Sequence, residues 1–65
     1  MNIDIRLNGI QHSMIELENP KPIAAVIRET DINPHSVLSY KINHTQYVND
    51  EYVLQQNTMV NCITI

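Results

Sequence analysis

Asn2-Ile3-Asp4-Ile5-Arg6-Leu7-Asn8-Gly9 decides how the rest of this chain is read. Ile3, Ile5 and Leu7 fall on one side of an extended backbone; Asn2, Asp4 and Arg6 fall on the other. Strict alternation marks a strand with one face on a core and one in water. Asn8-Gly9 follows, and both residues tolerate the positive φ that a type I′ hairpin turn requires. A returning strand is expected over Ile10 to Leu17. Its core side carries Ser13, Ile15 and Leu17, and Ile10 and Met14 face outwards.

Beyond Leu17 the period changes. Asn19-Pro20-Lys21-Pro22 reads as a helix start, with Asn19 as cap and proline in the first turn, where amides lack partners anyway. Ile23, Val26, Ile27 and Thr30 follow at helical spacing, so a helix is predicted over about 20–30. Pro34 disfavours helical backbone at Asn33, and a loop is expected from Asp31 to His35. Residues 36–42 alternate again, with Leu38, Tyr40 and Ile42 on the core side and Val37, Ser39 and Lys41 opposite. Asn43-His44 is a second turn, and Thr45 to Val48 a short strand. In the polar stretch 49–57, Leu54 is the expected core plug. The last strand, Thr58 to Ile65, turns Val60, Cys62 and Thr64 inwards and Met59, Asn61, Ile63 and Ile65 outwards.

Composition agrees with sheet. Ten Ile and five Val stand against four Leu and no Phe or Trp, and β-branched side chains suit a pleated, half-buried surface. Sixty-five residues supply one core and one domain, residues 1–65. The expected class is α+β: a mixed sheet of four or five strands with one helix packed across one face. No apolar run reaches the length of a membrane span, and no signal peptide opens the chain. The single cysteine, Cys62, fits a reducing, cytoplasmic setting. A net charge of −3 argues against general nucleic-acid binding.

The element order matches the β-grasp, or ubiquitin-like, arrangement. Lys41-Ile42-Asn43-His44, Tyr47-Val48 and the run from Leu54 to Ile63 resemble the closing half of the ThiS and MoaD sulfur-carrier proteins, and equally that of TGS domains. Those families show an apolar residue and Asn before a glycine turn, then a Leu, an acidic-Gly-Asp turn and an alternating strand. Here His44 stands for the turn glycine, and Asn57-Thr58 for Gly-Asp. Sulfur carriers end in Gly-Gly, whose carboxylate is activated and thiocarboxylated. This sequence ends Ile63-Thr64-Ile65, so as written it cannot carry sulfur. Truncation, divergence and membership of a larger chain all fit that ending. The resemblance implies a non-catalytic module that docks a protein partner, an adenylating enzyme for a carrier. The alternative it implies is a TGS-type regulatory or RNA/nucleotide-associated domain of a larger enzyme such as a kinase or synthetase.

Candidate catalytic groups are few. His12, His35 and His44 lie in separate segments, and with Cys62 they show no metal-ligand spacing. Cys62 alternates inwards and reads as a core residue. Glu16 and Glu18 read as a solvated strand end. Gly9 is the only glycine, which leaves no phosphate cradle. Asn43-His44-Thr45 matches a glycosylation sequon but reads as a turn. Tyr40, Tyr47 and Tyr52 read as core and rim packing. No cofactor, catalytic residue or metal site is expected. The sheet face opposite the helix is the candidate interface. Val37, Met59 and Ile63 are expected there, with Arg6 and Lys41 at its rim to steer an acidic partner. Pairing of this face with a second copy is the other partner considered.

Overall fold

The computed structural model describes residues 1–65. The Asn8-Gly9 turn forms with φ of 50° at Asn8 and 86° at Gly9, the left-handed backbone a type I′ turn needs. It joins β1 (Asn2–Leu7) to β2 (Ile10–Glu16) as an antiparallel hairpin. The second turn also forms, with φ of 48° at Asn43 and 63° at His44. It joins β4 (Val37–Ile42) to β5 (Gln46–Val48). The last strand, β7 (Thr58–Thr64), lies between β1 and β4, parallel to the first and antiparallel to the second. The five-stranded order is β2-β1-β7-β4-β5. The class is therefore α+β, a mixed sheet with one short helix, and it is compatible with a β-grasp. No helix is long and apolar enough to cross a membrane.

Helix α1 (Ile23–Ile27) is shorter than its expected span of about 20–30, and Asn19 does not cap it. Pro22 occupies the cap position in extended backbone, and its ring holds Lys21 extended as well. Lys21–Pro22 thereby becomes β3, which pairs with β6 (Val53–Leu54) in a two-stranded ribbon. The first helical amides find partners across the molecule. Ile23 N–H donates to Tyr52 O and Ala24 N–H to Asp50 O, each at 2.9 Å. At the other end Thr30 Oγ1 donates to Ile27 O at 2.7 Å and accepts from Ile32 N–H at 3.1 Å. One hydroxyl thus closes the helix and starts the loop. A 3₁₀ turn, Pro34–Ser36, follows, with Asn33 Oδ1 accepting from His35 N–H.

Ile3, Ile5, Ile23, Val26, Ile27, Leu54, Val60 and Cys62 are fully buried. Burying an Ile or Val side chain contributes about 1.5–3 kcal/mol, so this small set dominates the core. Leu54 plugs it as its position in a polar stretch suggests.

Two register shifts depart from simple alternation. In the first hairpin Ile5 pairs with Ser13 but Arg6 pairs with Gln11, so His12 is an extra residue in β2. This β-bulge carries Ile10 to Leu7's side of the sheet rather than outwards, although at the sheet's end it stays 74% exposed. In β4, Val37 pairs with Thr64 but Ser39 with Ile63, so Leu38 is the extra residue. Leu38 is 66% exposed instead of lying in the core. Val37 changes sides with it. It packs against the core cluster, not on the outer face.

Candidate functional site

The outer face of β1, β7 and β4 is built by pairing. Asp4 lies beside Met59, and Arg6 beside Asn61. Asn61 in turn faces Lys41, and Ile63 faces Ser39. Directly paired residues share a side of the sheet, so Arg6, Lys41, Met59 and Ile63 come together as expected. Val37 does not join them, because the Leu38 bulge turns it to the helix side. Met59 and Ile63 are half-buried by their polar neighbours. Two further apolar groups extend the face: Met14, paired with Asp4, and Tyr47, paired with Lys41, each 64% exposed. The outward reading of Met14 already pointed to the first. Tyr47 is found through its pairing with Lys41.

The two cations on this face are in different states. Arg6 donates through Nε and Nη2 to Asp4 Oδ2 at 3.2 and 3.1 Å. Its charge is balanced within its own strand. Asp4 Oδ1 is buried and accepts no hydrogen bond. Lys41 Nζ lies 4.9 Å from the Tyr47 ring centroid, a cation–π contact that leaves its charge uncompensated. Of the two cations, Lys41 rather than Arg6 is the one without a carboxylate beside it.

On the helix side, the bulge aims His12 at the loop after α1. His12 Nε2 lies 2.8 Å from Asp31 Oδ1, and Nδ1 lies 2.7 Å from Ser13 Oγ. Carboxylate, imidazole and hydroxyl thus form a chain beside a groove lined by Leu7, Ile32, Asn33 and Thr64. Asp31 is 85% exposed, so water screens this pairing. Its role is that of a clasp between β2 and the loop. Cys62 is fully buried, as its alternation suggests, and burial pushes its thiol up to about 11. The protonated thiol is a poor nucleophile. Burial, then the neighbouring Cys62 and Asp50, raises Tyr40 as well. No three His, Cys, Asp or Glu side chains gather in a group that could hold a metal ion.

Asparagine is the most informative polar residue. Six of the eight accept a backbone amide through the side chain: Asn8 from Thr64, Asn33 from His35, Asn43 from Met59, Asn49 from Glu51, Asn57 from Asn2 and Asn61 from Gly9. They replace missing backbone partners at strand ends and turns. The sequon at Asn43 is thus a structural joint.

No protein-family model, curated protein or solved structure matches the chain.

Proposed function

We propose that this chain is a β-grasp docking module, similar in kind to the ThiS and MoaD carriers, that acts by binding a protein partner rather than by chemistry of its own. One observation carries the reading. The order β2-β1-β7-β4-β5 sets the closing strand in the middle of the sheet, with Met59 and Ile63 on the side away from the helix. Met14, Tyr47 and the uncompensated Lys41 surround these two side chains. Apolar anchors within a polar rim, with a cation to orient approach, are the ingredients of a modest interface. The occupant that suits this reading is an adenylating enzyme of the class that activates sulfur carriers. An acidic surface on that enzyme complements Lys41.

The test is an NMR titration of the isotope-labelled chain with such an adenylating enzyme. Under this proposal, signals of Met59, Ile63, Lys41 and Tyr47 broaden first. Met59→Ser and Lys41→Glu then each weaken the complex while their own melting curves stay near the parent's. Unchanged spectra at saturating enzyme, or perturbation confined to α1, would overturn it.

A further inference from the structure

We propose that Asn8-Gly9 is a site of spontaneous covalent modification, in which the Asn8 amide becomes an aspartyl or isoaspartyl carboxylate, and that Asn61 and Thr64 gate the reaction. The chemistry is intramolecular and needs only water. The Gly9 amide nitrogen attacks Asn8 Cγ, and a new N–Cγ bond closes a five-membered imide. The Cγ–Nδ2 bond breaks, and ammonia leaves with the proton that Gly9 N gives up. Water then opens the imide at either carbonyl, which leaves aspartate or isoaspartate at position 8. Glycine after the asparagine is what permits ring closure, since no Cβ obstructs the backbone rotation it requires. Gly9 is the only glycine, so Asn8 is the only one of eight asparagines in this situation.

The fold holds both reacting atoms. Gly9 N–H donates to Asn61 Oδ1 at 2.8 Å. The Asn8 carboxamide is fixed at both ends: Oδ1 accepts from Thr64 N–H at 2.9 Å, and Nδ2 donates to Thr64 Oγ1 at 2.8 Å. Asn8 N–H donates to Cys62 O at 2.9 Å. The nucleophile is occupied and the electrophile cannot turn towards it. Both residues are nevertheless exposed, so water reaches them as soon as the clamp opens. The rate therefore follows local opening of the hairpin tip from the end of β7, rather than global unfolding. Isoaspartate would lengthen the backbone and remove the amide that holds Thr64. Conversion would also add a negative charge to a chain already at −3.

The experiment is prolonged incubation of the whole chain at mildly alkaline pH, followed by peptide mapping and labelling with an isoaspartyl methyltransferase. A synthetic peptide of residues 5–12 is the unclamped reference. Conversion is expected at Asn8 and at none of the other seven asparagines. It should run about tenfold slower in the folded chain than in the peptide, since reaction waits on local opening. Asn61→Ala and Thr64→Ala should each accelerate it by about three- to tenfold, the factor that one lost hydrogen bond implies. Asn61→Asp keeps an acceptor and should restore the slow rate. Should either alanine variant fail to fold, urea titration of the parent chain decides, with a rise to the peptide rate expected before the global transition. Equal rates in chain and peptide, variants no faster than the parent, an onset only at global unfolding, or conversion at another asparagine would each overturn the proposal.

Discussion

The two faces of β7 come from one run of seven residues, yet they are different environments. Val60 and Cys62 point under α1 and are fully buried. Thr58 is the only polar residue in the buried set, and its hydroxyl donates to Gln56 O at 2.7 Å. Met59, Asn61 and Ile63, one residue away in each case, are half-buried among Asp4, Arg6 and Lys41. Alternation separates the faces, but the covering layer decides what each tolerates. A helix covers the first and water the second, so an identical substitution should cost very different amounts on the two sides.

The largest effect should come from Ile27→Asp, on the buried face of α1. A carboxylate there is buried without a partner and costs several kcal/mol, about the stability of so small a domain. Circular dichroism should show an unfolded chain; a cooperative melt would sink the assignment of the inner face. Leu54→Ala should come next, at about 3 kcal/mol, because it empties a fully buried position on β6, which is held in place by pairing with β3. Urea denaturation measures it.

Alkaline titration sharpens the contrast on β7 itself. The Cys62 thiol sits at about 11 in the fold against a reference of 9.0, because burial opposes the thiolate. A folded-state value above the unfolded one stabilises fully below the unfolded value and is lost as pH rises towards the folded one. Stability should therefore decline between pH 9 and 11. Cys62→Ala should flatten that decline while lowering stability at neutral pH. An unchanged slope would show that the thiol does not contribute.

The neighbours Val37 and Leu38 give a finer version of the same comparison. Val37→Ser should cost about 1 kcal/mol, and Leu38→Ser within about 0.5 kcal/mol. Thermal melts of the pair measure the difference; the reverse order would restore plain alternation and remove the bulge. The smallest effect on stability should come from Ile63→Ser on the outer face, also within about 0.5 kcal/mol.

Much of the fold was legible in the sequence. Ile3 and Ile5 gave the first strand, Asn8-Gly9 and Asn43-His44 gave both turns, and Val60 and Cys62 gave the inner face of the last strand. These signals are local: a side-chain period of two, and residues that accept positive φ. The helix start departs from its local signals because local and distant preferences compete there. Asn19 and the prolines suit a helix start, but Pro22 also suits extended backbone, and pairing with Val53–Leu54 uses it that way. In the candidate site the faces of Arg6, Lys41, Met59 and Ile63 were legible, since β1 and β7 pair without a shift and β4 pairs regularly with β7 from Ser39 onwards. Alternation failed at Val37, one residue from a bulge. The pairing of Arg6 escapes the sequence for another reason. Its partner, Asp4, lies two residues away on the same strand face, and only side-chain geometry shows that the pair closes.

The sequence by itself determined the strands of the five-stranded sheet, its two tight turns, and the inward side of Ile3, Ile5, Val60 and Cys62, since each follows from nearest-neighbour spacing and backbone sterics. Only the tertiary structure decided the β2-β1-β7-β4-β5 order, the extra residues His12 and Leu38, and the use of six asparagine side chains as backbone partners. An inserted residue becomes visible only when a neighbouring strand fails to match it. An amide needs a side-chain acceptor only when distant chain segments leave it without a backbone one.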